Sequence, residues 1–177
     1  MHDKEIIEKA RERVIEAISQ NMNLYGVTPS VGRLWGLLYF QNQPMSLDGM
    51  KHELEMSKTS MSTSVRSLMD INMVDKVWVK GSRKDYYEVQ EDWYQTFIDF
   101  MTIKWRNGVI INVSAIEKSL HELNDLLENE NLSQELEMEV KSDITKLHQS
   151  LEYYDWMNRL VDKFESHEIF DFVPKKS

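Results

Sequence analysis

The chain has no cysteine, three prolines and six glycines in 177 residues, and no long uncharged apolar run. Without cysteine there can be no disulfide, no zinc-thiolate site and no thiol nucleophile. With so little Pro and Gly, and 29% charged residues, long helices are expected rather than an all-β sandwich or a disordered chain. No apolar stretch reaches the ~18 residues of a spanning helix. The start, "MHDKEIIEKARERVIEAI", is charged from its third residue and lacks the apolar centre of a signal peptide. The expected setting is the cytoplasm. His2, His52, His121, His148 and His167 are scattered without paired spacing, and neither a Gly-rich phosphate loop nor a GxSxG elbow is present. Neither a metal site, a cofactor nor an enzyme is expected.

What is present is helical periodicity. Ile7, Ala10, Val14, Ile18, Met22 and Tyr25 mark a first amphipathic helix, and Gly26 reads as its left-handed stop. Thr28 and Pro29 read as N-cap and first-turn proline of a second helix, carrying Val31, Leu34, Trp35, Leu38 and Tyr39 as far as "NQP" at 42–44. Gly32 and Gly36, four apart, allow a neighbouring helix to come close. A short third helix opens at Ser46 with Leu47, Met50 and Leu54 on one side. Ser57 caps a fourth, and Met56 packing on Met61 would fix its angle of entry.

The fourth helix carries its apolar stripe on Met61, Val65, Leu68 and Met69. Thr59, Ser62, Thr63 and Arg66 then point outward, with Lys58 at the exposed start. After it the period changes. "KVWVK" and "DYYEV" alternate about Gly81 and Ser82, predicting a two-stranded antiparallel ribbon with Lys80, Arg83 and Lys84 at its tip. From Asp92 the helical rhythm returns through Trp93, Phe97, Phe100 and Met101 and on from Val113 to Leu127, with Asn107 and Gly108 as a candidate kink. "ENENLS" interrupts it, and a last helix is expected over 133–165.

Helix, short turn, helix and hairpin is the layout of a winged helix-turn-helix, whose second motif helix enters the major groove of DNA. The fold expected is therefore mainly α with a small β-hairpin. Between Ser57 and Lys84 stand six cations, Lys58, Arg66, Lys76, Lys80, Arg83 and Lys84, against Asp70 and Asp75, although the chain as a whole carries a net charge of -9. Phosphates respond to the local field, so the acidic total does not exclude DNA. Ser and Thr let a helix backbone sit close to DNA, and Arg66 is long enough for a guanine edge or a phosphate. The expected DNA-contacting set is Ser57, Lys58, Thr59, Ser60, Ser62, Thr63, Arg66, Lys80, Arg83 and Lys84. Two other readings stay open: an ordinary solvated helix and turn, or a winged helix that docks a protein partner. Glu53 and Glu55 favour the second of these, since they would stand near phosphates.

"YGVTPSVGRLWGLLYF", then "MSLDGMKHELEMSKTSMSTSVRSLMDINMVDKVWVKGSRKDYYEV" and "DWYQTFIDFMTIKWR", resemble the GbsR-type branch of the MarR-like winged-helix transcription regulators. The likeness runs from about Glu5 to the final helix and is densest over 25–106. It implies a cytoplasmic bacterial repressor, dimeric through its N- and C-terminal helices, that governs synthesis or import of osmoprotectants such as glycine betaine from choline. On that basis residues 1–27 form a dimerisation helix, 28–90 the DNA-binding winged helix and 91–177 a helical dimerisation and ligand-sensing region. Independently, the stripes of Val113 to Leu127 and Val140 to Phe164 exceed what a small winged helix needs for its own cover, which points to a second subunit. A helical hairpin within one monomer is the alternative. Trp93, Tyr94, Phe97 and Trp105 offer a cage for a quaternary ammonium such as choline, held by cation-π attraction of ~0.5 to 2 kcal/mol per contact. Aromatic residues at helical spacing also serve simply as core. Tyr39, Trp35 and Trp156 are the reserve candidates.

Overall fold

A computed structural model describes residues 2–128 and 132–176. It divides into two compact units, Met1–Phe100 and Met101–Ser177. In the first, α1 (His2–Asn21) runs into a 3-10 turn (Met22–Tyr25) that Gly26 closes at φ 70, its N–H donating to the Asn23 carbonyl at 2.9 Å. That left-handed conformation suits a residue without a Cβ. Pro29 then opens α2 (Pro29–Tyr39) with its φ already helical. Gly32 and Gly36 do bring two helices together: a Cβ on Gly32 would lie 2.7 Å from the Ser19 Cα, and one on Gly36 2.9 Å from Ile15 Cγ2. Arg33 strengthens the pair from the solvent side, reaching Glu12 at 2.7 Å and Glu16 at 2.8 Å.

Next come β1 (Met45–Ser46), α3 (Leu47–Leu54), α4 (Lys58–Met69), β2 (Val74–Val77) and β3 (Tyr86–Val89). The sheet is antiparallel in the order β1-β3-β2, with Met45 opposite Tyr87 and Lys76 opposite Tyr87 on the other side. The expected two-stranded ribbon is thus three-stranded. Its third member is two residues long and follows Pro44, too short for any alternation to be read. The ladder itself stops at Val77 and Tyr86, so Trp78, Lys80, Arg83 and Lys84 lie in a loop in which Gly81 is left-handed at φ 87. One apolar cluster joins these elements: Leu34, Trp35 and Leu38 of α2, Met50 of α3, Met61, Val65 and Leu68 of α4, and Val74 and Tyr87 of the sheet.

α5 (Trp93–Leu127) is capped by Asp92, whose Oδ1 accepts the Tyr94 N–H at 2.9 Å and the Gln95 N–H at 3.2 Å. It is helical without interruption through Asn107 and Gly108, so the candidate kink is not a break in the helix. Gly108 has nothing within 4 Å of a would-be Cβ and is therefore not a packing contact either. Of "ENENLS", 129–131 lie outside the described residues. Ser133 caps α6 (Gln134–Glu165) by accepting the Leu136 N–H at 3.4 Å, and a one-turn α7 (Ile169–Phe172) follows. α7 has too few residues to betray a period.

Within the second unit Arg106 crosses from α5 to α6, donating to Asn158 Oδ1 at 3.1 Å, Asp162 at 2.7 Å and Glu165 at 2.8 Å. These hydrogen bonds and charges raise its pKa. Among the described residues no helix is long and apolar enough to cross a membrane.

Candidate nucleic-acid interface

The orientation of α4 is set at its entry. Glu55 ends α3 in the left-handed region at φ 52. Two residues later the Ser57 Oγ accepts the Ser60 N–H at 3.1 Å and lies 2.9 Å from the Ser60 Oγ. Met56 joins the core and Met61 is fully buried within it, so the expected staple residues both reach apolar surroundings. With Met61, Val65 and Leu68 turned inward, Ser57, Lys58, Thr59, Ser60, Thr63 and Arg66 are exposed and Ser62 is half-buried.

The hydroxyls are not equivalent. Thr63 Oγ1 donates to the Thr59 carbonyl and Ser67 Oγ to the Thr63 carbonyl, each at 3.1 Å. Those protons are committed to the helix, which leaves acceptor oxygen outward.

The basic residues also separate into two groups. Lys84 Nζ sits 2.7 Å from Asp48 Oδ2 at the start of α3, and Lys76 Nζ is 2.9 Å from Asp85. The Lys84 hydrogen bond lowers the Asp48 pKa, and the same bond raises that of Lys84. Lys58, Arg66, Lys80 and Arg83 are exposed and make no salt bridge among the described residues. Two of these free cations belong to α4 and two to the loop between β2 and β3.

Asp48, Thr28, Ser30 and Trp78 neighbour this surface and are not in the expected set. Asp48 is 36 residues from Lys84, and nothing in its local pattern marks it as a partner. Thr28 and Ser30, at the start of α2, line a cleft of 440 Å³ with Thr59, Ser60, Thr63, Ser64 and Ser67 of α4. Only the tertiary fold brings these hydroxyls together. Trp78, just beyond the ladder, is 78% exposed; its place in "KVWVK" was the one available signal.

Of the expected aromatic set, Trp93 has ring partners on α2. Trp93 meets Trp35 edge-on at 4.9 Å and Tyr39 at 5.3 Å, while Trp35 and Tyr39 stack at 5.1 Å. Two reserve candidates are therefore its ring partners. Tyr94 and Phe97 are partly exposed on the same helix, and Trp105 belongs to the second unit. The Trp35 indole N–H is buried without a hydrogen-bond partner among the described residues. Tyr39 also lines a cleft of 530 Å³ whose other walls include Tyr87 and the carboxylates Asp75, Glu88 and Glu91.

Comparison with known proteins agrees with this geometry. Residues 93–171 match the C-terminal helical hairpin of the GbsR family of transcriptional regulators. The HTH-type transcriptional repressor OpcR of Bacillus subtilis (strain 168) is 43% identical over 171 residues, 97% of this chain and 92% of that protein. The HTH-type transcriptional repressor GbsR of the same organism is 41% identical over 168 residues, 95% of this chain and 93% of its own length. A crystal structure of a transcriptional regulator aligns at a TM-score of 0.58 and 15% identity, covering 89% of this chain and 99% of that one. That last likeness concerns the fold, which is a winged helix.

Proposed function

Since the chain belongs to the GbsR family of transcriptional regulators, we propose that it is a dimeric DNA-binding repressor of genes for osmoprotectant synthesis or uptake, relieved by a choline-like ligand. The observation that carries the DNA-binding part is the pairing of α4, capped and presenting Lys58 and Arg66, with a wing presenting Lys80 and Arg83, all four without salt-bridge partners among the described residues. Residues 28–90 read the groove and the adjoining phosphates in the cytoplasm. Ser57, Thr59, Ser60, Ser62 and Thr63 approach base edges or backbone, and Lys84 joins the wing's contacts when it exchanges Asp48 for a phosphate.

Residues 1–27 and 91–177 hold the dimer. In support, Ile6, Ile7 and Val14 are exposed on α1, as are Ile110 and Ile111 on α5; surfaces of this kind mark association sites. Two copies then read a pseudo-palindromic operator. For the ligand, Trp93, Tyr94, Phe97 and Trp105 remain the assigned residues. The contact of Trp93 with Tyr39, and the carboxylates around the Tyr39 cleft, suit an organic cation.

One observation favours a second reading. An exposed Trp78 on the wing is also what a winged helix that docks an acidic protein would carry. A salt-controlled gel shift on DNA from upstream of its own and neighbouring genes, with and without choline and glycine betaine, separates the two. A repressor prefers its operator over random duplex by ~10³-fold or more and weakens steeply with salt. Release by choline supports the ligand assignment, whereas equal binding to all duplexes supports the docking module.

A further inference from the structure

The start of α2 is left uncapped in an unusual way. Thr28 occupies the N-cap position, yet its hydroxyl makes no capping bond and instead shares a hydrogen bond with Ser30 Oγ at 2.9 Å. Pro29 has no N–H, and the Gly32 N–H is taken by the Thr28 carbonyl at 3.0 Å. The N–H groups of Ser30 and Val31 therefore have no hydrogen bond among the described residues. The positive end of an 11-residue helix opens onto the 440 Å³ cleft.

A second observation comes from the opposite wall. Ser64 of α4 lines this cleft, is 6% exposed, and its hydroxyl has no hydrogen bond among the described residues. Thr63 and Ser67, on the turn either side, both satisfy themselves on α4 carbonyls. The Ser64 oxygen is not among the enclosed unpartnered side-chain atoms of the described residues, so it stays accessible and is free to donate to a ligand. The cleft is lined by hydroxyls, Val31 and Met56, with neither a carboxylate nor a cation. The Ser30 and Val31 N–H groups and the Ser64 hydroxyl are donors that suit the oxygen atoms of an anion, whereas Thr63 and Ser67 turn acceptor oxygen outward. Thr59, Ser60 and Thr63 belong to the face assigned to DNA.

We propose that this cleft seats one phosphodiester group of the operator backbone, bound by the Ser30 and Val31 N–H groups, by the one hydroxyl proton that the hydrogen bond between Thr28 and Ser30 leaves free, and by Ser64. The inference rests on the DNA-binding reading above and adds to it a clamp that sets how deeply α4 lies in the groove. A phosphate contact positions without reading sequence. Because its donors are neutral, it displaces few counterions compared with a Lys or Arg contact.

The test combines Thr28→Val with Ser30→Ala, and separately Ser64→Ala, with an operator in which single phosphates are replaced by neutral methylphosphonates. Thr28 contributes no capping bond, so the variants should melt with the wild type. Each should bind operator and random duplex more weakly by the same factor, about tenfold for the double variant, as for loss of hydrogen bonds to a charged group. The slope of log K against log salt should stay unchanged. Wild type should lose affinity at one methylphosphonate position in each half-site, and the double variant should be indifferent there. Variants that bind like wild type, or that keep that sensitivity, overturn the clamp while leaving the repressor reading intact if Arg66→Ala still weakens operator binding. A flat methylphosphonate scan, together with inorganic phosphate raising the melting temperature of wild type but not of the variants, would assign the cleft to a free anion and overturn the DNA assignment. Wild type without operator preference would remove the repressor reading and the clamp with it.

Discussion

Within Met1–Phe100, Leu34, Met50, Met61 and Leu68 are withdrawn from solvent around Trp35. In the unit beyond, the buried hydrophobics among the described residues are Val109, Leu120, Val140, Met157 and Val161, while Ile110 is 59% exposed, Ile111 68% and Met138 67%. The first unit completes a core from its own elements. The second presents on its long helices the kind of side chain that stabilises by ~1.5 to 3 kcal/mol once covered. Exposed apolar residues of this kind are what the proposed dimer would bury.

The largest expected effect breaks the closed core. Leu34→Ala should cost ~2 to 5 kcal/mol in chemical denaturation, since the residue is fully buried. Its counterpart is Ile110→Asp with Ile111→Asp, which should reduce the mass seen by sedimentation from dimer to monomer while the far-ultraviolet helical signal persists. A double variant that loses its helices as a monomer would erase the contrast between the units. Next, Arg66→Ala should cost ~1 to 3 kcal/mol at the operator if the guanidinium reads a base, with no change in mass. An unaltered dissociation constant would take Arg66 out of the reading set.

Smaller still, Ser57→Ala removes the acceptor of the Ser60 N–H and should lower stability by ~0.5 to 2 kcal/mol in thermal denaturation. The smallest concerns the exposed pair of Asp48 and Lys84. Lys84 holds the Asp48 carboxyl below the usual carboxylate range, chiefly by its hydrogen bond, and is itself raised above the usual lysine range. The Asp48 contribution is therefore full above its ordinary value and is lost as the pH falls through the depressed one; that of Lys84 is lost only as the pH rises through the raised one. Asp48→Asn should lower the melting temperature slightly at neutral pH and converge with the wild type in acid, so that a shallow acid limb is flattened. An unaltered acid limb would mean that the tie does not hold the wing in solution.

Much of the first unit was legible because its signals are local. Gly26, Pro29, Ser46 and Ser57 each act on their own first or last turn, so reading them required no knowledge of the fold. β1 was not legible, because two residues have no period and gain a strand's geometry only by pairing with Tyr86 and Tyr87. The aromatic set was legible in kind but its partners were not. Helical spacing named Trp93 with Phe97, and packing adds Trp35 and Tyr39, more than fifty residues earlier, as ring partners of Trp93. Arg106 and its three partners on α6 follow the same rule. An ion pair 56 residues apart leaves no mark on either segment.

Gly32 and Gly36 bring the backbone of α2 against α1 with no intervening side chain on the α2 side. Across the contact stand the Ser19 Cα and the side chains of Ile15 and Met22, close enough that a Cβ on either glycine would have to displace them. The same α2 begins at the edge of the cleft beside α4. The two glycines thus act as spacers of zero thickness, and an alanine at either would have to move α2 away from α1 and with it one wall of that cleft.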